Sequence, residues 1–412
     1  MDLSPTVDGK VYDLIVIGGG CVGLASAYKI QKKYPNKTIA ILEKEDELAK
    51  HQTGRNSGVI HSGLYYKPGS LRAENCYKGR NQLVEFCKTH HVTHDVCGKI
   101  VVATNQEEVG RLQGILERGL KNGLQGLEII DKKRIKEIEP YIEGEQAIWV
   151  PEAGIVDYRG LTKKLGELIL KINPDSRIIT SCEVTNFKKN KVTTLETSQG
   201  KFFAHHTIFC TGLQADRMAK KDHVDLDIQT VGFRGDYYDL TEQGKKKINN
   251  LVYPVPNPAF PFLGVHFTRM FDGTIECGPN AVFTFKREGY GKTDFDWTDT
   301  KEALSYAGTW KLFSKHWLFG INEYRRAFSK KLFLKQLQGL CPSLTMDDIT
   351  VGRSGVRAIA LGKDGEIFDD FKIEYKETSI HVLNAPSPAA TACLAIGDSI
   401  AEMAKKHFFE TN

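Results

Sequence analysis

The sequence contains no Cys-x-x-Cys pair, and its nine cysteines are an odd number, scattered from Cys21 to Cys393. Neither a disulfide framework nor a zinc site fits that spacing; buried free thiols in a reducing compartment do. No run approaches the ~18 apolar residues of a membrane span, and the first ten residues are polar, so neither a secretory signal nor an arginine-rich transit segment is visible. A dominant charge is missing as well: 56 Lys+Arg against 51 Asp+Glu leave a net +5 over 412 residues. That is too little for a nucleic-acid coat, so any basic feature must be local. Internal repeats and low-complexity linkers are also lacking. What remains is the composition of a soluble globular protein, 41% hydrophobic and 10% aromatic, which excludes disordered and collagen-like classes. At ~100–200 residues per domain, the length predicts two or three domains.

Val11 to Ile17 is a nearly continuous apolar run followed at once by glycines, the pattern of a parallel strand buried on both faces. Residues 21–33 read as a helix and Thr38 to Leu42 as a second buried strand, closing a strand-helix-strand unit. The pattern further predicts strand over Val92–Thr104, helices over Leu71–Lys88, Glu107–Asn122 and Arg159–Leu170, and a short buried strand over Thr207–Cys210. Between 230 and 290, β-rich pieces alternate with proline turns, as in an antiparallel sheet forming a second lobe. A helix starting near Pro388 has the apolar spacing to pack back on the first lobe. The expected fold is α/β with an α+β second lobe. Its Rossmann-like domain is discontinuous (1–90, 150–225 and 345–412), and an antiparallel-sheet substrate domain takes 91–149 and 226–344.

Gly18-Gly19-Gly20-Cys21-Val22-Gly23 satisfies G-x-G-x-x-G between strand and helix, with Glu43 twenty residues beyond Gly23 at the end of the next strand. Gly18 permits the tight turn, Gly20 lets the backbone approach a pyrophosphate, and Gly23 lets helix and strand pack closely. The helix N-terminus favours the phosphates, and Glu43 is placed to accept hydrogen bonds from ribose hydroxyls. The motif alone does not choose between NAD and FAD.

After Glu43-Lys44 comes a polar, glycine-punctuated stretch, His51-Gln52-Thr53-Gly54-Arg55-Asn56-Ser57-Gly58-Val59-Ile60-His61-Ser62-Gly63-Leu64-Tyr65-Tyr66. It resembles the flavin-contacting loop of the D-amino-acid oxidase and glycerol-3-phosphate dehydrogenase superfamily. Read on through Lys67-Pro68-Gly69-Ser70, it closely resembles the L-2-hydroxyglutarate dehydrogenase family within that superfamily. The resemblance implies FAD as cofactor and a FAD-binding domain of the glutathione-reductase type. It implies cofactor contacts from the glycine motif, Glu43, Lys44, Thr53, Arg55, Asn56, Ser57, Gly58 and His61. It extends to Val184, resembling a valine that packs on adenine, and to Cys210-Thr211-Gly212, in place of the commoner Ala-Thr-Gly. Gly352 to Arg357, with Gly355 and Arg357, and Asn384 to Thr391, with Ser387, Pro388 and Ala389, resemble the two segments that close over the flavin. In the second of these, a helix N-terminus would face the flavin edge that becomes negative on reduction.

A 2-hydroxy acid must present its C2 hydrogen to flavin N5 while a base takes the hydroxyl proton and a fixed fork holds the carboxylate. Arg357 is the candidate fork, because planar guanidinium pairs with carboxylate through two parallel hydrogen bonds. His61 and His266 are both candidate bases; some relatives also use a histidine in a loop like that of His61 to bond the flavin covalently. In Arg234-Gly235-Asp236-Tyr237-Tyr238, which resembles a strand placing a tyrosine over substrate, alternation lets only one tyrosine, taken as Tyr237, face the site. Arg269 and Arg55 are candidates for a second carboxylate.

Residues 301–340 hold eight Lys/Arg and two Asp/Glu, a local +6 that leaves the remainder at −1. Within Thr309 to Leu334, basic residues interleave with Trp310, Phe313, Trp317, Phe319, Phe328 and Phe333 at helical spacing. That suits a helix lying on an anionic membrane surface, or equally a pair of helices with an aromatic core stripe and a solvated basic face. No recognition module accompanies the patch, so nucleic acid is not expected as a partner. The resemblance implies oxidation of L-2-hydroxyglutarate, a dicarboxylic hydroxy acid, to 2-oxoglutarate. It also implies a quinone-type electron acceptor and a mitochondrial metabolite-repair role. Together with a peripheral membrane helix, the missing targeting segment predicts association with the mitochondrial inner membrane and a chain that starts after an import signal, although a bacterial relative at the cytoplasmic membrane would look much the same. The alternatives are a flavin-dependent amine or amino-acid oxidase and a flavin-carrying, polyanion-binding factor.

Overall fold

The computed structural model describes residues 6–257 and 264–410. Strand Thr6–Ile17 lies in an eight-stranded sheet, between Ile39–Leu42 and Gly200–Phe209, both parallel to it. Arg177–Ile179 extends the parallel set beyond Ile39–Leu42, and Ser379–Asn384 extends it beyond Gly200–Phe209. Leu14 and Val16 pack under the helices Cys21–Lys33, Tyr158–Ile172 and Ala389–Ala404, whereas Tyr12, Ile15 and Ile17 join Phe187, Leu195 and Phe202 on the other face. Burial of both faces is why this strand reads as a continuous apolar run.

The expected helices stand within two residues of their reading: Cys21–Lys33, Leu71–His90, Gln106–Lys121, Tyr158–Ile172 and Ala389–Ala404. The last packs against Cys21–Lys33, and Lys29 Nζ meets Asp398 at 2.8 Å. Two strand readings change. Val92–Thr104 divides into His94–Asp95 and Lys99–Ala103 around Gly98, whose φ of +78° interrupts an extended run. Thr207–Cys210 is the tail of the ten-residue strand Gly200–Phe209, whose earlier part alternates buried and accessible residues.

A nine-stranded sheet forms the other half. Its longest pairing joins Ile228–Leu240 to Ile349–Gly362, antiparallel from Ile228 opposite Gly362 to Leu240 opposite Ile349. Residues 345–362 were allotted by sequence to the nucleotide-binding domain; their strand lies here instead, because its ladder partner is Ile228–Leu240. The sheet is mixed rather than wholly antiparallel: Leu251–Pro254 runs parallel to Lys99–Ala103. A small sheet of Val59–Ile60, Gly154–Val156 and His94–Asp95 completes the strands of the described residues.

The basic aromatic segment forms helices Ala307–Ala327 and Lys330–Leu337, the first kinked at His316, where φ −127° and ψ 25° leave the helical region. Its aromatic residues divide. Phe333 is fully buried and Phe313 packs edge-on to Phe283, but Trp310, Trp317 and Phe328 are more than half exposed, with Leu318 and Ile321. Among the described residues no helix is long and apolar enough to cross a membrane.

Candidate active site

A cleft of about 1850 Å³ is lined by residues of both large sheets. At one end stands the glycine turn. Gly18 has φ +110°, and a Cβ there would fall 2.3 Å from the Cys210 carbonyl oxygen; one on Gly23 would fall 2.1 Å from the Gly18 carbonyl oxygen. Two backbones therefore meet where only hydrogen fits. The helix that follows has no side-chain N-cap and no acidic residue in its first turn, so its positive end is left to an anion. Glu43, 8% exposed, lines the cleft and accepts from the Gly19 N–H at 2.6 Å and the Glu45 N–H at 3.0 Å. Cys21, Val22, Val184, Cys210, Thr211 and Gly212 line the same end, and the buried Thr211 hydroxyl has no hydrogen-bond partner.

The loop after Glu43 runs along the cleft and is tied down from three sides. Thr53 Oγ1 accepts from the Cys21 N–H at 3.0 Å. Arg353 donates to the carbonyls of Gly54 and Asn56, each at 2.6 Å, while its Nε pairs with buried Glu276. The His61 N–H donates to Thr391 Oγ1 at 3.1 Å. Thr53, Arg55, Asn56, Ser57 and His61 line the cleft; Gly58 does not. Gly58 instead makes the turn, with φ +66° and its N–H donating to Asn56 Oδ1 at 2.8 Å. Lys44 lines the cleft, but its ammonium is committed to Glu288. Across from the loop, Gly355, Ser387, Pro388 and Ala389 line the wall, and helix Ala389–Ala404, like the first helix, begins without a side-chain cap or an acidic first turn.

The far end gathers Arg357, Tyr237, His61, His266, Tyr65 and Tyr253. Tyr237 lines the cleft, whereas Tyr238 packs into the core against Phe333 at 4.7 Å between centroids, as strand alternation requires. Burial pushes the Tyr237 phenol up to about 12. Both imidazoles are held down to about 3, chiefly by burial, and for His61 next by the positive charge of Lys99. Both are therefore neutral at pH 7. His266 Nδ1 lies 2.9 Å from the Gly264 carbonyl oxygen, which can only accept, so Nδ1 carries the proton and Nε2 keeps its lone pair. Arg357 donates to the Asn280 carbonyl at 3.3 Å, and burial lowers its pKa.

Sequence reasoning put Arg269 here, and the structure does not: it pairs with Asp95 and donates to Asn250 at 3.1 Å, outside the cleft lining. Arg55 lines the cleft with its guanidinium 3.7 Å from the Tyr290 ring centroid. Lys99 and Tyr253 were not singled out. Lys99, 2% exposed, holds its ammonium 4.7 Å from the ring centroid of Tyr253 and 5.1 Å from that of Tyr65. A lysine opening the otherwise apolar KIVVA run is the one signal that could have marked it.

The sequence profile of the FAD dependent oxidoreductase family, DAO, matches residues 13–403. The chain belongs to this family. It is 46% identical over 399 residues to the L-2-hydroxyglutarate dehydrogenase of Indibacter alkaliphilus, covering 96% of this chain and 100% of that protein. It is 42% identical to the mitochondrial L-2-hydroxyglutarate dehydrogenase of Nematostella vectensis, covering 96% and 91%, and 41% identical to the L-2-hydroxyglutarate dehydrogenase of Escherichia coli, covering 95% and 92%. Among solved structures, dithionite-reduced L-α-glycerophosphate oxidase from Mycoplasma pneumoniae, with FAD bound, superposes with a TM-score of 0.79 at 22% identity, covering 96% and 95%. Glycine oxidase from Geobacillus kaustophilus does so at 0.71 and 15%, covering 97% and 96%. These two are likenesses of fold.

The site of this FAD-dependent oxidoreductase fits its cofactor. Two uncapped helix N-termini, a glycine cradle with no room for Cβ atoms, a cleft-facing carboxylate at Glu43 and the unpartnered Thr211 hydroxyl suit an anionic, hydroxyl-bearing dinucleotide.

Proposed function

We propose that this FAD-dependent enzyme oxidises L-2-hydroxyglutarate to 2-oxoglutarate and passes the electrons to a quinone-type acceptor. The observation carrying the reading is the lining of one cleft by Arg357 with two neutral histidines, His266 buried and His61 half-buried. The names of relatives 41–46% identical over nearly the whole chain support the choice of substrate. In this reading the eight-stranded sheet and its helices hold the cofactor and the nine-stranded sheet holds the substrate.

FAD bound there supplies, at its N5, the acceptor for the C2 hydride. Arg357 fixes the carboxylate next to C2, and Tyr237 orients it. His266, with its tautomer set by Gly264, takes the hydroxyl proton on Nε2. An incoming dianion raises the imidazole's affinity for that proton at the moment it is needed. His61 packs at the cofactor side of the same pocket. The Trp310, Trp317, Leu318, Ile321 and Phe328 surface, flanked by Lys311 and Arg325, rests on an anionic membrane where a quinone is reached. In eukaryotes that is the mitochondrial inner membrane, in keeping with the mitochondrial names of the eukaryotic relatives and with a metabolite-repair role.

The test is anaerobic absorbance at the flavin bands on adding L-2-hydroxyglutarate and, separately, the D form, L-lactate, glycerol 3-phosphate and L-glutamate. Bleaching by L-2-hydroxyglutarate alone is the expected result. Bleaching by L-glutamate or glycerol 3-phosphate instead would overturn the substrate.

A further inference from the structure

A five-carbon dicarboxylic hydroxy acid brings two negative charges, and the proposed function uses Arg357 for only one. Arg269 is spent on Asp95. Arg118 is exposed and donates to the Tyr65 carbonyl at 3.2 Å. Lys99 is different. It is almost wholly buried, and no carboxylate of the described residues pairs with it. Taking an ammonium out of water is costly, and contact with two aromatic faces returns only part of that cost. The balance is a cation that lacks an anion.

Where that cation sits gives it a use. The two rings it touches, Tyr65 and Tyr253, both line the cleft with His61 and His266, and Tyr253 lies flat on His266 with centroids 3.9 Å apart. The Tyr65 hydroxyl is buried and has no hydrogen-bond partner. Lys99 itself is not among the residues lining the cleft, so its uncompensated charge reaches the site through the two rings it touches, one of which carries the orphaned hydroxyl. The charges of Arg357 and Lys99 both act on His266, so both cations lie near the candidate base. Burial pulls the Lys99 ammonium down to about 8, so it is still mostly charged at pH 7.

Resting on the substrate reading above, we propose that the Tyr65 hydroxyl receives the distal carboxylate of the dicarboxylic substrate and that Lys99, as a positioning residue against the Tyr65 and Tyr253 rings, supplies the positive charge that selects a diacid over a monoacid. Tyr65, backed by the charge of Lys99, then faces one end of the substrate and Arg357 on strand Ile349–Gly362 the other, with His266 at the carbon between. The role is specificity, and Lys99 takes no part in the proton or hydride transfer.

The experiment uses the FAD-loaded enzyme and two dead-end acids, glutarate and butyrate, which differ only in the distal carboxylate. Dissociation constants come from perturbation of the flavin spectrum, for the natural chain and for Lys99→Met, Lys99→Gln and Arg118→Gln. Flavin content and thermal midpoint report folding, and two different neutral replacements guard against one failing for steric reasons. The expected result is that both Lys99 variants weaken glutarate by about ten- to a hundredfold and butyrate by less than about threefold. In turnover, the preference for L-2-hydroxyglutarate over L-2-hydroxybutyrate should fall by a similar factor. A glutarate preference that survives both Lys99 variants, or that collapses in Arg118→Gln alone, overturns the assignment. A natural chain that neither bleaches with L-2-hydroxyglutarate nor binds glutarate overturns the parent reading instead.

Discussion

Tyr253 lies against the imidazole of His266, ring planes 27° apart, on the side of the cleft where Gly264 fixes the Nδ1 proton. The ring is thus clamped in plane and in tautomer, the two conditions a base needs before its pKa matters. His266→Asn should lower the anaerobic rate of flavin reduction by about 10²- to 10⁴-fold while leaving flavin content unchanged. Tyr253→Phe, which keeps the stacked face, should change it far less than Tyr253→Leu. Rapid-mixing absorbance separates the three.

Acid should destabilise the protein through the same residues. His61 and His266 are held to about 3 in the fold, against ~6.5 in an unfolded chain. Between those values the unfolded chain binds protons that the folded one refuses, so stability rises with pH through this window and levels off above it. The slope is up to ~1.4 kcal/mol per pH unit for each histidine. Thermal midpoints measured from pH 7 down to pH 5 should fall, and His266→Asn should flatten the fall.

Gly23→Ala puts a methyl 2.1 Å from the Gly18 carbonyl oxygen, which is backbone and cannot swing aside. The strand and helix must separate, at a cost of about 1–3 kcal/mol. The expected product is a folded but colourless protein with a lowered melting temperature. A yellow protein with full flavin occupancy would contradict the glycine cradle.

Arg353 braces the loop carbonyls of Gly54 and Asn56 and neutralises Glu276, whose side chain is 4% exposed. Arg353→Leu should cost ~3–5 kcal/mol, because it strands a buried carboxylate. Adding Glu276→Leu should restore part of that stability without restoring flavin affinity, since the loop stays unbraced. Urea melts and flavin titrations read the two effects separately.

Trp317→Glu combined with Leu318→Glu removes two exposed apolar side chains from helix Ala307–Ala327 and lowers the +6 of residues 301–340 to +4. Flotation with anionic vesicles should drop on the order of tenfold or more, with soluble turnover to an artificial acceptor unchanged. Equal flotation by both proteins would remove this face from the membrane.

Much of the cofactor end was legible because its physics is local. A turn that tolerates no Cβ demands glycine at Gly18 and Gly23, and a buried parallel strand demands an unbroken apolar run, whatever lies elsewhere in the chain. The loop from Thr53 to His61 was singled out instead by its resemblance to a flavin-contacting loop. The substrate end depends on partners distant in sequence. Arg269 looked available until Asp95, 174 positions away, was seen to hold it. Lys99 reads as an ordinary strand-end charge, and only the fold sets it between Tyr65 and Tyr253. Strand Ile349–Gly362 was grouped with its neighbours in the chain, whereas sheet membership is decided by a ladder to residues more than a hundred positions earlier.

That strand also acts as a ruler. Gly355 approaches the loop so closely that a Cβ would meet the Arg55 carbonyl oxygen at 2.3 Å, and Arg357 follows on the same face two positions later. The backbone step from the residue that meets the loop to the one that bears the proposed fork is therefore one pleat repeat, about 6.7 Å, held by the ladder to Phe233–Gly235. Acids of different length cannot be accommodated by sliding the fork. They have to be fitted from the opposite wall, so redesign for shorter or longer substrates belongs around Lys99, leaving the ruler untouched.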